Sequence, residues 1–299
     1  MTKRKFIILG HTGFIGARLL TKLSVLSDTF EVQGLSLEQL DLTKVNSNLD
    51  LATIFTPDST LVMCAAVKKQ LGDTPETFAK NMAIIQNLIR LLQSHPVRRI
   101  VYLSSAAIYG EDIENLRITE NTPPHPRSYY GLSKFNAEWM LQKAVSSTPN
   151  TELGIVRPAT IYGPGDVANA YGPSGFLNAA LSGEEIVLWG DGSEKREFLY
   201  IDDVIDILSQ YIISDETNLL NIASGTSYTF QDVLDAVQAV VARMPTISSQ
   251  ERSKEKVDNC FDPSRLLTLM PDYKFTSLVS GIKKMYQQIS NNEKQSKGQ

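Results

Sequence analysis

Three glycines near the N-terminus constrain the fold more than any other feature of the sequence. Gly10, Gly13 and Gly16 follow the apolar run 6–9, which has the length of a buried strand. The positions that then recur at helical spacing are Ile15, Leu19, Leu20, Leu23 and Leu26. In such a strand–turn–helix unit the glycines permit a tight turn, a close approach to a pyrophosphate and packing of helix on strand. We therefore predict a dinucleotide-binding loop, with a plain tight turn as the alternative.

Runs of strand length alternate with stretches of helical period through the first half of the chain. The predicted strands are Phe6–Leu9, Val32–Leu35, Leu61–Cys64, Ile100–Ser104 and Leu153–Arg157. One helix is predicted to begin at Asp73-Thr74-Pro75-Glu76, and another to run from Ser128 to about Lys143. This alternation predicts an α/β fold, namely a Rossmann-type doubly wound parallel sheet with helices on both faces.

The pattern becomes irregular from Gly163 onward, where glycine and proline cluster. We therefore predict a dinucleotide-binding domain over residues 1–163, to which strands near 198–201 and 219–222 could return. Residues 164–290 are predicted to form mainly a smaller C-terminal substrate-binding lobe. Residues 291–299 are polar and are predicted to be a disordered tail.

Charge and cysteine content exclude several classes of partner. The net charge is −4, so no basic field exists to hold a nucleic-acid backbone. No run approaches the ~18 apolar residues of a membrane helix, and the first apolar run is too short for a signal peptide. Cys64 and Cys260 stand apart from each other and from any histidine, so they predict neither a disulfide nor a metal site. We expect a cytoplasmic protein without nucleic-acid, membrane or metal partners.

The choice between NAD and NADP depends on the residues after the second strand. In NAD sites an acid about 20 residues beyond the glycine loop holds the ribose diol. The residue at that distance is Ser36, and the nearest acid is Glu38. An NADP site would use an arginine for the extra phosphate, but none lies between Arg18 and Arg90, although His11 offers a cation. The sequence favours NAD and leaves NADP open.

Tyr130 and Lys134 are four residues apart in a predicted helix, so they lie one turn apart on one face. The neighbouring Tyr129 has Ser133 at the same spacing, and a serine cannot supply a cation. A lysine ammonium beside a phenol favours the phenolate and lowers the pKa of the tyrosine. The phenolate can then take a proton from a sugar hydroxyl while hydride leaves its carbon. We predict Tyr130 as the acid/base and Lys134 as the cation that lowers its pKa.

The segment Leu103–Gly110 follows the fourth predicted strand, at the end that borders the ligand crevice in open α/β sheets. A hydroxyl there can hydrogen-bond the reacting oxygen, and Ser104 and Ser105 each offer one. Without the glycine loop and the Tyr–Lys pair, the segment would be interpreted as a turn of small residues.

With these motifs the sequence resembles the extended short-chain dehydrogenases, specifically the NAD-dependent epimerase/dehydratase group that acts on nucleotide sugars. The resemblance runs from about Phe6 to Tyr286 and implies Ser105, Tyr130 and Lys134 as catalytic residues, with Ser104 as the fallback. The cofactor-binding residues that it implies are Gly10, His11, Thr12, Gly13, Phe14, Ile15, Gly16, Ser36, Asp41, Leu42, Ala65, Ala66, Asn81, Lys134 and Arg157. The substrate-binding residues that it implies are Ser105, Ala106, Thr160, Arg196 and Tyr200, of which Arg196 is expected to meet the diphosphate.

Departures from the family pattern narrow the chemistry. Family dehydratases carry Asp-Glu directly after the catalytic hydroxyl residue, and double-epimerising reductases carry a cysteine at the second of these positions. This sequence has Ala106 and Ala107 there, so both chemistries are disfavoured. The resemblance implies a 4-epimerase or a 4-ketoreductase that acts on a nucleotide-diphosphate sugar, with a homodimer as one option for its assembly. A non-catalytic redox sensor with the same dinucleotide fold is the alternative from another class.

Overall fold

The computed structural model describes residues 3–26, 29–44, 49–166, 171–252 and 255–297, apart from the side chains of 70 and 292–297. The strands are β1 (Arg4–Leu9), β2 (Phe30–Leu35), β3 (Thr60–Met63), β4 (Arg99–Leu103), β5 (Asn115–Ile118), β6 (Glu152–Pro158), β7 (Thr160–Tyr162), β8 (Ile186–Trp189), β9 (Lys195–Arg196), β10 (Phe198–Tyr200), β11 (Leu220–Ile222), β12 (Tyr228–Thr229), β13 (Ile247–Gln250) and β14 (Asn259–Phe261). The α-helices are α1 (Phe14–Ser24), α2 (Leu51–Ile54), α3 (Pro75–Ser94), α4 (Tyr129–Ser146), α5 (Pro173–Ser182), α6 (Ile201–Ile213), α7 (Phe230–Gln238), α8 (Ser264–Leu269) and α9 (Leu278–Lys297).

The first of two compact units holds a six-stranded parallel sheet of order β11-β6-β4-β3-β1-β2. The unit comprises Met1–Glu111, Pro123–Pro158 and Ile205–Ile222. The chain proceeds from β1 to β2 on one side and then returns to place β3 on the other side of β1. This reversal of strand order is the point where ligands bind in open parallel sheets, beyond the carboxyl ends of the strands. The predicted Rossmann-type fold is confirmed.

The sheet is stabilised by apolar side chains that alternate along its strands. In β1, Ile7 and Leu9 lie on the face covered by α3 and α4, where they join a buried cluster with Leu88 and Leu141. Period-2 alternation places Ile8 on the opposite face, and this side chain is fully buried as well. Because both faces of the sheet are buried, the strand sequences are continuous apolar runs instead of alternating apolar and polar residues.

Helix α3 begins where the sequence predicts a helix start. Thr74 is its N-cap and accepts a hydrogen bond from the N–H of Thr77, whose hydroxyl in turn accepts one from the N–H of Thr74. Pro75 occupies the first helical position, where its missing N–H costs nothing. This capping box fixes the direction in which α3 leaves the loop after β3.

The second unit consists of Asp112–Thr122, Ala159–Val204 and the chain from Ala223 onward. Its strands form the parallel pairs β7/β10, β8/β13 and β5/β14 and the antiparallel pair β9/β12. The segment near 219–222 returns to the main sheet as β11, whereas the segment near 198–201 pairs with β7. Residues 112–122, which were expected in the dinucleotide-binding domain, belong to this second unit because β5 pairs with the distant β14.

The C-terminal segment differs from the prediction. Helix α9 continues to Lys297, so residues 291–297 are helical rather than disordered, and the last two residues lie outside the described chain. Ile282 and Met285 are buried near the start of this helix, and the residues after them favour helix enough for it to continue. Among the described residues, no helix has the length and apolar character needed to cross a membrane.

Candidate active site

The glycine loop turns between β1 and α1, and two of its glycines are required by close backbone contacts. Gly10 has a φ of +81°, and a Cβ on it would lie 2.8 Å from the Cα of Ala65. A Cβ on Gly16 would lie 2.3 Å from the carbonyl oxygen of Gly10. Neither position therefore accommodates a side chain. The loops after β1 and β3 meet at Gly10 and Ala65, which lie at the reversal of strand order.

Gly13 differs from Gly10 and Gly16 because its backbone is exposed. Its φ of −80° is accessible to any residue, and it precedes α1 as an N-cap without a side chain to cap the first N–H groups. The nearest atom to a Cβ on Gly13 is the Gly10 carbonyl oxygen at 3.3 Å. Helix N-termini of this kind bind phosphate through free N–H groups and the helix dipole. The loop thus fits a dinucleotide pyrophosphate, and a side chain at Gly13 would reduce the space that the pyrophosphate occupies.

His11 and Ser36, both predicted to bind the cofactor, lie at the carboxyl end of β2. The imidazole of His11 packs on Gly34, where a Cβ would lie 2.4 Å from its Cγ. Its Nδ1 is buried and lacks a hydrogen-bond partner within the described part of the chain. The N–H of Ser36 donates to Oε1 of Gln39 at 2.9 Å. An uncharged serine therefore follows β2 where many NAD sites carry an acid.

Asp41 and Leu42, predicted to lie near the adenine, are held by contacts within the first unit. The Asp41 carboxylate accepts the N–H of Thr43 at 2.9 Å and its hydroxyl at 2.6 Å. The Thr43 hydroxyl, together with its N–H and the Lys44 ammonium, lowers the pKa of Asp41. Leu42 is buried, and its carbonyl accepts a hydrogen bond from Asn87 at 2.9 Å. The contact of this pair with a cofactor stays a prediction.

Asn81 fixes the loop after β3. Its Oδ1 accepts the N–H of Val67 at 2.8 Å, and its Nδ2 donates to the carbonyl of Val67 at 3.0 Å. The same Nδ2 donates to the hydroxyl of Ser133 on α4 at 3.2 Å. This buried amide is used by protein partners, and the contact of Asn81, Ala65 and Ala66 with a cofactor stays a prediction.

Ser105 begins a 3₁₀ turn, 106–109, at the end of β4. Its hydroxyl accepts the N–H of Ala107 at 3.1 Å and lowers the pKa of the neighbouring Tyr130. Ser104, the alternative, is buried, and its hydroxyl lacks a partner within the described residues. This effect on Tyr130 favours Ser105 as the functional hydroxyl.

Three contacts hold Tyr130 in the first turn of α4. Its own N–H donates to Oδ1 of Asp73 at 2.9 Å, and the N-cap Ser128 accepts the N–H of Gly131 at 3.0 Å. A Cβ on Gly131 would lie 2.6 Å from the carbonyl oxygen of Ala107, so only glycine lets α4 approach the turn that carries Ser105. The sequence analysis missed Asp73 and Gly131 as positioning residues, although the Tyr-Gly step at a helix start was a visible signal.

Lys134 lies one helical turn beyond Tyr130 and is buried. Its Nζ donates to the carbonyl of Leu103 at 2.7 Å and lies 5.8 Å from the centroid of the Tyr130 ring and 5.0 Å from that of Tyr102. Burial lowers the pKa of Lys134 to about 8. The ammonium is thus fixed at the end of β4, behind the tyrosine.

The pKa of Tyr130 differs from the sequence-based expectation. Lys134 was expected to lower it, but burial raises the pKa of Tyr130 to about 12, against the opposing hydrogen bond with Ser105. Burial of the phenol is the dominant effect, and the Lys134 ammonium donates to the Leu103 carbonyl. In the protein alone Tyr130 therefore keeps its proton at neutral pH.

Arg157 was predicted to bind the cofactor, but its guanidinium is occupied inside the first unit. Nε donates to Oε1 of Glu138 at 2.9 Å, and Nη2 to Oε2 at 2.5 Å. Nη1 donates to the hydroxyl of Tyr109 at 2.9 Å, which donates to Asn221 at 2.8 Å. This buried network links β6 to α4, the turn after β4, and β11, so the guanidinium is used by protein partners, and contact of Arg157 with a cofactor stays a prediction.

Three of the residues predicted to bind substrate lie in the second unit, namely Thr160, Arg196 and Tyr200. Arg196 donates to the carbonyls of Lys195 and Val257 at 2.8 and 2.7 Å and pairs with Glu194. Its expected contact with a diphosphate would therefore compete with protein acceptors. Arg252, which the sequence analysis did not consider, also approaches Glu194, at 3.9 Å.

Tyr200 and Thr160 differ in exposure. Tyr200 is only 3% exposed. The centroid of its ring lies 5.6 Å from the centroid of the Tyr162 ring and 5.2 Å from the Lys284 ammonium. This burial does not support substrate contact by Tyr200. Thr160 is exposed at the start of β7, and Ala106, in the first unit, is half-buried, so the predictions for these two residues stand.

The first unit combines a glycine loop at the reversal of strand order with Ser105, Tyr130 and Lys134 at the ends of β4 and α4. This arrangement defines a dinucleotide-dependent enzyme of the short-chain dehydrogenase type. The chain belongs to the NAD dependent epimerase/dehydratase family, whose model matches residues 6–223. The predictions of an enzyme with NAD as cofactor are confirmed.

Similar proteins include epimerases and reductases. The N-acetyl-alpha-D-glucosaminyl-diphospho-ditrans,octacis-undecaprenol 4-epimerase of Escherichia coli O157:H7 is 24% identical over 239 residues, covering 77% of this chain and 67% of the relative. The dTDP-4-dehydro-6-deoxy-D-allose reductase of Streptomyces bikiniensis is 26% identical over 278 residues, covering 80% and 82%. The UDP-glucuronic acid 4-epimerase of Bacillus cereus, solved with UDP-glucuronic acid and NAD, is 21% identical with a TM-score of 0.82, covering 96% of this chain and 99% of that one.

Proposed function

We propose that this enzyme oxidises or reduces C4 of a nucleotide-diphosphate sugar, with Tyr130 as the acid/base. The observation that carries the proposal is that Ser105, Tyr130 and the buried ammonium of Lys134 lie together at the carboxyl end of β4, with Lys134 one helical turn beyond Tyr130. The relative named a reductase of a dTDP-4-dehydro sugar supports both the substrate class and the position. The 4-epimerase supports the position alone, because its name gives a lipid-linked rather than a nucleotide-linked diphospho sugar.

Each residue has a separate task in this proposal. When bound, NAD would exchange hydride with the sugar carbon, and its oxidised form would add a positive charge to the site. Tyr130 keeps its proton at neutral pH because burial raises its pKa to about 12, so it is ready to protonate the sugar oxygen during reduction. In the reverse direction the proton is received by the phenolate form of Tyr130, whose negative charge a neighbouring cation would stabilise. Ser105 orients the reacting oxygen by a hydrogen bond, and Lys134 stabilises negative charge on the phenol oxygen.

An epimerase and a ketoreductase differ in what happens to the cofactor. An epimerase re-uses the same bound NAD, whereas a ketoreductase consumes added NADH or NADPH. We therefore propose a panel of UDP-, dTDP- and GDP-sugars, assayed with and without added reduced cofactor. Interconversion of C4 epimers without added cofactor indicates an epimerase, and consumption of NADH or NADPH with a 4-keto sugar indicates a reductase. NADPH use would also answer the question left open by Ser36.

We also propose a homodimer formed through α4. Tyr129, Leu132 and Trp139 lie on one face of this helix and are 41%, 36% and 57% exposed. Large apolar side chains in one exposed stripe are typical of contacts between subunits, and a two-fold axis would pair the stripe with itself.

The test of the proposed chemistry is Tyr130→Phe with Tyr129→Phe as the matched control. Loss of the phenol hydroxyl should lower kcat by about 10²–10⁴-fold, the usual contribution of an acid/base group. NAD affinity, measured by calorimetric titration, should change little because the ring remains. Tyr129 begins the same helix but is exposed, so its variant should keep full activity.

Activity of Tyr130→Phe within about threefold of the wild type would contradict the assignment, since acid/base groups contribute far more than this. If the wild type bound NAD but turned over no member of the panel, the result would favour the redox sensor. That alternative is not favoured at present, because Ser105, Tyr130 and Lys134 are all retained and brought together.

A further inference from the structure

A buried ion pair lies in the first unit, outside the group of residues that the proposed chemistry uses. Arg157 on β6 and Glu138 on α4 are 5% and 2% exposed. Two nitrogens of the guanidinium donate to the two oxygens of the carboxylate. Replacement of such a pair by apolar side chains of similar volume often leaves a protein equally stable or makes it more stable. Stability alone therefore does not account for this pair.

The same guanidinium also holds the turn after β4. Its third nitrogen, Nη1 of Arg157, donates to the Tyr109 hydroxyl at 2.9 Å, and this hydroxyl donates to Oδ1 of Asn221 at 2.8 Å. Asn221 is the register partner of Arg157 on β11, so both anchors of the hydroxyl lie on adjacent strands of the main sheet. The four residues of this Arg157 network are Tyr109, Glu138, Arg157 and Asn221.

The two elements that the guanidinium connects carry the proposed catalytic groups. Ser105 begins the turn that Tyr109 ends. On α4, residues at intervals of four lie along one face of the helix, and these are Tyr130, Lys134 and Glu138. One side chain thus contacts both the turn that holds the hydroxyl and the helix that holds the acid/base and the cation.

The spacing between this turn and α4 leaves little tolerance. A Cβ on Gly131 would lie 2.6 Å from the carbonyl oxygen of Ala107, so helix and turn approach each other through their backbones. Catalysis depends on the mutual placement of the reacting groups, and a misplacement of about 1 Å can lower a rate by about 10²-fold. A contact that fixes the turn against the helix therefore influences the rate more than it influences stability.

We propose that the Arg157 network positions the Ser105 hydroxyl against Tyr130 and thereby sets the rate of proton transfer to and from the substrate. The inference rests on the proposed function of Ser105 and Tyr130. The members of the network act through the turn and the helix and do not touch the reacting atoms, so they are positioning residues.

The test is Tyr109→Phe, which removes one hydroxyl and keeps the ring. The turn then loses its contacts with Arg157 and Asn221, so kcat with the nucleotide sugar should fall about tenfold. KM for the sugar and the affinity for NAD should stay within about twofold of the wild type, because no binding group is removed. The amides of the turn should exchange their hydrogens at least about threefold faster, as expected for the loss of a hydrogen bond.

Tyr211→Phe is the matched control. Tyr211 is fully buried in the first unit, and its hydroxyl donates to the Asn218 carbonyl at 2.6 Å. A Cβ on Gly154, in the first half of β6, would lie 2.5 Å from this hydroxyl, so the site is away from the turn. The control should lower the melting temperature by a similar amount and leave kcat and the exchange of the turn unchanged.

A second comparison uses Ser105→Ala as the background. If Tyr109 acts through Ser105, Tyr109→Phe should change kcat by less than about twofold once the serine hydroxyl is absent. A further tenfold loss in that background would overturn the inference, because the two effects would then be independent. So would a kcat of Tyr109→Phe that falls no further than that of Tyr211→Phe.

Arg157→Lys examines the guanidinium itself. Lysine keeps a charge opposite Glu138 but cannot bind the carboxylate and the Tyr109 hydroxyl together. This variant should reproduce the loss of kcat with unchanged NAD affinity. NAD binding weakened by more than about tenfold would overturn the inference, because a loss of that size indicates a direct charge-assisted contact with the cofactor.

Hydrogen exchange needs no turnover and therefore separates the two claims. A wild type that turns over no nucleotide sugar would refute the proposed function. The Arg157 network would then be judged by exchange alone: faster exchange of the turn in Tyr109→Phe than in Tyr211→Phe supports it, and equal exchange overturns it. Turnover with a kcat that does not respond to Tyr109→Phe would refute the inference alone.

Discussion

The three glycines of the loop after β1 are alike in the sequence and unlike in the structure. Gly10 and Gly16 are required by backbone contacts of 2.8 and 2.3 Å that any Cβ would make. Gly13 has an ordinary φ and an exposed backbone. A side chain at Gly10 or Gly16 would therefore disturb folding, whereas a side chain at Gly13 would change what the loop can bind.

This difference predicts opposite results for two substitutions. Gly13→Val should fold normally but bind NAD at least about tenfold more weakly, because its side chain occupies the approach of the pyrophosphate to the N–H groups of α1 and even one lost charge-assisted hydrogen bond has that effect. Gly16→Ala should lower the melting temperature or prevent folding, since its Cβ meets the Gly10 carbonyl. Thermal denaturation and NAD calorimetry on both variants provide the measurement. Unchanged NAD affinity in a folded Gly13→Val would refute the assigned role of the loop.

The sequence predicts which residues are candidates for the site more readily than it predicts which side chains those residues contact. Tyr130, Lys134 and Ser105 were found because fixed spacing on a helix and a position after a strand bring them together. Arg157 was assigned to the cofactor, since nothing in the local sequence reveals that Glu138 lies opposite it in the fold. The pKa of Tyr130 was missed for a related reason: burial is a property of the packed site, whereas the spacing of Lys134 shows only its proximity.

At the scale of elements, apolar strands were predictable and short polar ones were not. β1, β3, β4 and β6 lie at the predicted positions because burial on both faces requires continuous apolar runs. β13, with the sequence Ile-Ser-Ser-Gln, has no such run, and its pairing with β8 depends on residues some 60 positions away. Pairings of this kind in the second unit leave no local signal in the sequence.

The exposed face of α4 predicts the behaviour of the assembly. Trp139→Glu places a charge in the apolar stripe and should weaken a dimer by about a hundredfold or more, because aromatic side chains at the centre of an interface carry much of its binding energy. Sedimentation equilibrium at micromolar concentration should show a dimer for the wild type and a monomer for the variant. Trp189→Glu is the matched control, since Trp189 is a tryptophan of the second unit with 45% exposure. A monomeric wild type, or a dimeric Trp139→Glu, would contradict the proposed interface.

At the scale of the whole molecule, the chain passes several times between its two units. The first unit is assembled from three separate segments, so no single boundary such as residue 163 could describe it. The sequence pattern becomes irregular after Gly163, close to Ala159, where a segment of the second unit begins. The pattern allowed a return near 219–222, where β11 joins the main sheet, but it could not reveal that 112–122 belongs to the second unit, because that depends on pairing with the distant β14.

The Glu197 carboxyl is buried, and burial disfavours its negative charge in the folded protein. It lies between β9 and β10 and is 2% exposed. Oε1 accepts the N–H groups of Ser224 and Gly225, whereas Oε2 is buried without a partner among the described residues. Burial outweighs these hydrogen bonds and raises the pKa of Glu197 from 4.5 to about 7.

The raised pKa predicts that the protein loses stability as the pH rises. Below about pH 4.5 the carboxyl is protonated in both the folded and unfolded chains, so it adds no pH dependence. Between pH 4.5 and 7 the unfolded chain releases the proton that the folded chain keeps, and the free energy of unfolding falls by about 3 kcal/mol by pH 8. Glu197→Gln should abolish this fall, whereas Glu184→Gln, at an exposed position, should retain it. Burial also raises the pKa of Asp203, but that contribution is common to all three proteins and cancels in the comparison. Urea denaturation at pH 5, 6, 7 and 8 measures the slope, and an identical slope in Glu197→Gln and the wild type would show that Glu197 is ionised in the folded protein throughout this range.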